Sequence, residues 1–287
     1  MRRAYIIGAD GYIGSAAADA MREAGKEVVA MGRGVAADLY FDLSSFDSDS
    51  LDSIEPGSFL LVAAAISSPD VCERDYDSAY RVNVTGTRAL VSHAVDQGCD
   101  VVFLSSDAVF SSEPGVIYDE DSPMDPQFAY GKMKAEVEGD FSGDGHFKAL
   151  RLSYVYSDHD KAMRYMLGCA GRGIKAEIFH PYYRSYIPLS DVVKTVLFLE
   201  ENWSALPDWR LNLAGTELVS RIRVADELKQ LLAGFDYSVV EPPESFYDVR
   251  PRVTQMQSKY LYRFGICRDE CFTKKFQQEM KGIITYD

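Results

Sequence analysis

Three side chains in the middle of the chain have the types and spacing for proton transfer at a carbon–oxygen bond. Tyr130-Gly131-Lys132-Met133-Lys134 puts Tyr130 and Lys134 four residues apart, on one face of a predicted helix. A free phenol titrates near about 10, too high for ready proton exchange at neutral pH. A neighbouring ammonium stabilises the phenolate and lowers that value, making the phenol a usable acid or base. The third member is Ser106, within Ser105-Ser106-Asp107-Ala108-Val109-Phe110 at the end of a predicted strand. Its hydroxyl either binds a substrate oxygen beside the tyrosine or caps the strand end.

A second constellation is built for binding. Gly8-Ala9-Asp10-Gly11-Tyr12-Ile13-Gly14 joins a predicted strand to a predicted helix. Gly8 permits a tight turn, Gly11 lets backbone approach a pyrophosphate, and Gly14 lets helix and strand pack closely, with the helix N-terminus facing the phosphates. Asp10 is discordant there, since a carboxylate beside a pyrophosphate is unfavourable unless it points away or caps the helix. The second strand ends in Gly32-Arg33, where an acid would select NAD. Arg33 either pairs with a 2′-phosphate, which favours NADP(H) over NAD(H), or stands as a solvated loop residue. Asp38 or Asp42 remains available for the ribose. Asp42-Leu43 suits either an adenine-edge contact or a local cap.

These groups need a scaffold, and the alternation of apolar runs and helical patterns supplies one. Strands are expected at 4–8, 27–31, 59–65, 100–106, 147–156 and 210–215, and helices at 12–25, 76–97, 128–141 and 191–202. The apolar residues of 59–65 run continuously, as in a sheet covered on both faces. This pattern predicts an α/β, Rossmann-type doubly wound parallel sheet with a smaller mixed α/β substrate lobe. The expected division is 1–156 with 186–216 for the dinucleotide-binding domain. Residues 157–185 with 217–287 form the interleaved lobe, with a ligand cleft at the strand ends.

Composition narrows the function classes. Among 287 residues, 30 Lys and Arg face 44 Asp and Glu, a net charge of −14. Such a balance argues against nucleic-acid and anionic-membrane partners. The longest apolar runs, such as 59–66, fall well short of the roughly 20 residues that span a bilayer. The opening MRRAYIIG stops being apolar at Gly8 and reads as a first strand, so a cytoplasmic location is expected. Five scattered cysteines and four scattered histidines predict neither a disulfide framework nor a metal site.

Together with AAAISSPDVCE (63–73), NVTGT (83–87), RLSYVY (151–156) and RSYIPLSDVV (184–193), these motifs resemble the extended short-chain dehydrogenase/reductase family across nearly the whole chain. The similarity is greatest to its dTDP-4-dehydrorhamnose reductase branch. Tyr130 follows Ser106 by 24 residues as in that branch, and Arg250-Pro251 is present. The resemblance implies that Ser106 polarises the substrate oxygen and Tyr130 passes the proton. Lys134 would bind cofactor ribose and tune Tyr130. It further implies a cofactor lined by Gly8, Gly11, Tyr12, Ile13, Gly14, Ala63, Ala64, Ala65, Ser105 and Val155, and a substrate touching Asp107, Arg184 and Arg250. Arg184 would meet a diphosphate or form a surface ion pair. A homodimer through the helices near 76–97 and 128–141 is implied as well.

Departures from the family pattern bear on the reaction. Asp107-Ala108 lacks the Asp-Glu of the dehydratases, and Gly32-Arg33 fits poorly with an epimerase holding NAD. The leading expectation is an NAD(P)-dependent reductase of a keto group on a nucleotide-activated sugar. A nucleotide-sugar epimerase and a non-catalytic NADP-binding regulatory subunit are the alternatives.

Overall fold

The computed structural model describes residues 2–283. They divide into two units, the first made of 1–111, 123–151 and 193–211 and the second of 112–122, 152–192 and 212–287. The predicted cuts at 156, 186 and 216 lie a few residues from those at 151, 192 and 211. The predicted division did not separate out 112–122.

A seven-stranded sheet organises the first unit. Its strands are β1 (Ala4–Ile7), β2 (Val28–Gly32), β3 (Leu39–Tyr40), β4 (Phe59–Val62), β5 (Asp100–Ser106), β6 (Phe147–Leu152) and β7 (Arg210–Leu213). Their order is β7-β6-β5-β4-β1-β2-β3. The pairs β1–β2, β1–β4, β2–β3 and β4–β5 are parallel. Chain direction across the sheet reverses at β1, and the crevice beside such a switch point is where doubly wound sheets bind ligands. All four residues of β4 are buried, as its continuous apolar run requires.

Three helices matter for the site: α1 (Tyr12–Glu23), α2 (Thr87–Asp96) and α3 (Ala129–Asp140). Helix α1 buries Gly14, Ala17, Ala18 and Met21, a stripe at helical spacing. Beneath the helices, Leu60, Val62, Val101, Phe103, Met133 and Val137 share one core. Each such large side chain contributes roughly 1.5–3 kcal/mol on burial. The helix expected over 76–97 is interrupted by a π-helical stretch, Arg81–Gly86. There Leu43 O lies so close to Gly86 that a Cβ would overlap it. The strand expected over 147–156 ends at Leu152; Val155–Tyr156 forms a separate strand that pairs with Ile187–Pro188 in the second unit.

The second unit has its own core around Tyr156, Met163, Ile178, Leu228 and Phe276. Its four-stranded sheet runs Val219–Ser220, Tyr183–Arg184, Val253–Met256, Ile117–Tyr118. No described helix is long and apolar enough to cross a membrane. The five cysteines are free thiols, with only Cys271 exposed. Among the described residues no cluster of metal-ligating side chains forms.

Candidate active site

The glycine loop after β1 forms a tight backbone cradle. Gly8 has φ 87°, a left-handed conformation, and its N–H donates to Met31 O at 2.8 Å. A Cβ on Gly8 would stand 2.6 Å from Ala64 N, so β1 and the 63–65 segment close on each other. Ala63 N and Ala64 N both donate to Ile7 O at 2.9 Å. A Cβ on Gly14 would overlap Gly8 O, which makes glycine obligatory where α1 enters. Helix α1 has Gly11 at its N-cap, without a side-chain cap or an acid in the first turn. Its positive end is therefore open to an anion, and the cradle suits a dinucleotide pyrophosphate. Tyr12, Ile13, Ala63, Ala64 and Ala65 are all half-buried around it.

The candidate cofactor residues past β2 behave differently. Asp10 turns away from the helix end, its Oδ2 accepting from Arg33 N and Gly34 N at 2.7 Å each. The Arg33 side chain is 73% exposed, with Asp42 at 3.8 Å. Asp42 Oδ1 accepts from the backbone N–H and hydroxyl of Ser44, both at 2.8 Å. That local cap, chiefly the Ser44 amide, holds its carboxyl below the usual range. Leu43 is buried.

One close approach brings together the elements that carry the candidate residues Ser106, Tyr130 and Lys134. Gly131 lies so near Ala108 O that any Cβ would overlap it. The glycine between Tyr130 and Lys132 thus lets α3 settle on the turn that follows Ser106. Ser106 Oγ accepts from Ala108 N and lies 3.2 Å from Asp107 Oδ1. Tyr130 is half-buried in the first turn of α3. Lys134 is 2% exposed and donates to Leu104 O at 2.7 Å, its Nζ over the Phe103 ring at 4.3 Å and 5.8 Å from the Tyr130 ring.

The electrostatics differ from the sequence expectation. Burial, with Cys72 and Asp107 adding to it, raises Tyr130 above the ordinary phenol value instead of lowering it. Burial acts on Lys134 in the opposite sense, pulling it from 10.5 down to about 7 against the opposing pull of Glu138.

Ser105 was expected at the cofactor. It is buried and donates to Glu138 Oε1 at 2.5 Å. Glu138 also takes Arg151 Nε at 2.9 Å and Nη2 at 2.7 Å. This pair underlies α3 and had no sequence signature, because its members lie on different elements.

In the second unit, Arg184 is 5% exposed and donates to Tyr183 O and Pro251 O at 2.6 and 2.9 Å. Its guanidinium stacks 4.1 Å from the Tyr182 ring, and that of Arg250 lies 5.0 Å from Phe246. The structure adds Arg221, which the sequence reading passed over, 4.3 Å from Tyr182 and 5.6 Å from Phe246. Its Nε is buried and has no partner. A signal was present: Arg221 directly follows the N-cap Ser220, where a cation opposes the helix dipole. Val155 belongs to this unit too.

The sheet order and the glycine loop make this a Rossmann-like α/β chain with the extended short-chain dehydrogenase/reductase fold. More narrowly, the chain belongs to the RmlD substrate binding domain family, which matches residues 1–276. It is 32% identical over 145 residues to dTDP-4-dehydrorhamnose reductase of Aggregatibacter actinomycetemcomitans, covering 48% of this chain and 46% of the relative. It is 30% identical over 167 residues to methionine adenosyltransferase 2 subunit beta of Xenopus tropicalis, covering 56% and 49%. The matches thus span about half the length of these relatives. Among solved structures, dTDP-4-dehydrorhamnose reductase of Bacillus anthracis in complex with NADP superposes with TM-score 0.84, 19% identity and coverage of 99% and 100%. MoeE5 in complex with UDP-glucose and NAD gives TM-score 0.80, 23% identity and 98% coverage of each chain.

Proposed function

We propose that this chain reduces a keto group on a nucleotide-activated sugar, using NAD(P)H. The observation that carries the reading is the close approach at Gly131 that sets the first turn of α3, with Tyr130 and Lys134, against the turn after Ser106. A bound reduced nicotinamide supplies the hydride to the carbonyl carbon. Ser106 donates a hydrogen bond to the carbonyl oxygen, and Tyr130 Oη delivers its proton there as charge develops. Lys134 Nζ, which has further N–H groups beside the one given to Leu104 O, would hold the nicotinamide ribose, and the Gly8–Gly14 cradle would bind the pyrophosphate. Arg184, Arg221 and Arg250 are the candidate contacts for the substrate's diphosphate. The reductase relatives and the NADP- and UDP-glucose-bound structures support this class of chemistry.

The match to methionine adenosyltransferase 2 subunit beta favours a second reading, a non-catalytic dinucleotide-binding subunit. One assay separates the two. Purified protein mixed with a nucleotide-linked 4-keto sugar and reduced dinucleotide should consume the reduced form. Tyr130→Phe should slow that consumption by about a hundred- to ten-thousandfold while dinucleotide affinity stays nearly unchanged. A wild-type protein that binds dinucleotide but turns over no keto sugar supports the subunit reading.

A further inference from the structure

We propose that Asp10 sets the dinucleotide preference of the loop site, and that the preference is for NAD(H). The inference rests on reading that loop as a dinucleotide site. In sites of this architecture the adenosine ribose lies at the end of the second strand. A carboxylate there accepts from the 2′-hydroxyl, whereas a basic group accommodates a 2′-phosphate. Here β2 ends in Gly32-Arg33-Gly34 and brings no acid of its own.

The acid comes instead from the loop after β1. Asp10 Oδ2 holds the N–H groups of Arg33 and Gly34, the donors a 2′-phosphate at this strand end would need. The flanking glycines make this possible. A Cβ on Gly32 would overlap Oδ2, and one on Gly34 would stand 2.7 Å from Oδ1. Oδ1 takes no part in these two bonds, and Asp10 is exposed, so a ribose hydroxyl can donate to it. Arg33 does not offset the charge: its side chain is largely in solvent and its guanidinium is turned to a second acid, Asp42. A dianionic 2′-phosphate would meet like charge here, and a 2′-hydroxyl would meet an acceptor. This is the opposite of the preference that Gly32-Arg33 suggests by itself.

The test is calorimetric titration of the cofactor-stripped full chain with NADH and with NADPH. NADH should bind more tightly by about tenfold or more. Asp10→Asn keeps the shape and an acceptor oxygen but drops the charge. With its one oxygen kept on the amides of Arg33 and Gly34, it turns an NH2 toward the ribose, so it should move the ratio of Kd values toward NADPH by at least about tenfold, weakening NADH and relieving NADPH. Arg33→Ala should leave the ratio unaltered. Tighter NADPH binding by the wild type, an unmoved ratio in Asp10→Asn, or loss of discrimination in Arg33→Ala overturns the assignment, and the wild-type ratio decides even where a variant fails to fold. Binding of neither dinucleotide would sink the reductase reading itself, and this assignment with it.

Discussion

Helix α3 carries two buried cation sites of opposite design. At its base, Glu138 and Arg151 are 0% and 1% exposed, and each meets the other's charge directly. One turn nearer the N-terminus, Lys134 is equally buried but has a carbonyl oxygen as its hydrogen-bond acceptor. The first arrangement meets charge with charge inside the protein, leaving only Arg151 Nη1 buried without a partner, and pairing offsets much of its cost of desolvation. The second leaves a group whose charge burial suppresses, and such under-compensated groups mark places where a ligand completes the electrostatics. Arg221 repeats the second design in the other unit, resting on aromatic faces with Nε unpartnered.

This contrast can be broken from either side. The largest effect is expected on stability at the first pair. Glu138→Gln leaves Arg151 buried without a counter-charge and should cost about 3–5 kcal/mol in urea unfolding. A loss below about 1 kcal/mol would mean the pair is not the scaffold described.

Lys134→Met should behave in the opposite way, sparing stability while weakening dinucleotide binding. Its pH dependence sharpens the comparison. The folded-state pKa near 7 lies below the unfolded value of 10.5, so the unfolded chain binds more protons between them. Wild-type stability relative to Lys134→Met should therefore rise with pH across that window, by up to about 1.4 kcal/mol per pH unit, and be flat below it. A difference that is flat across the window would show that the lysine is solvated. The smallest effect is expected at Arg221. Arg221→Met should change stability by less than about 1 kcal/mol yet weaken UDP or dTDP binding by roughly tenfold. Equal nucleotide affinities would remove Arg221 from the substrate contacts.

Much of the scaffold was legible because its signals are local. The continuous apolar run at 59–62 marks a strand covered on both faces, and Val101 to Ser106 forms a strand where the pattern places it. The segments that went astray were those where tertiary contact overrides periodicity. A helical pattern over 76–97 conceals the π-stretch at Gly86, and β6 stops at Leu152 because Val155 pairs with Ile187. Among the candidate site residues, type and spacing singled out Ser106, Tyr130 and Lys134. The directions of the Tyr130 and Lys134 shifts were not legible there, since desolvation depends on which elements cover a side chain.

By itself the sequence determined the glycine cradle, the strand–loop–helix order and the shared face of Tyr130 and Lys134, all set by neighbours within about one turn of chain. Only the tertiary structure decided where charges meet. Asp10 reaches amides 23 and 24 residues away, Ser105 reaches Glu138 across 33, and Lys134 finds its carbonyl 30 residues back. Such pairings follow from which strand lies beside which loop, and no periodicity along the chain encodes them. An ion's energy depends on its surroundings more than on its neighbours in sequence, so packing decides the charge state of these side chains.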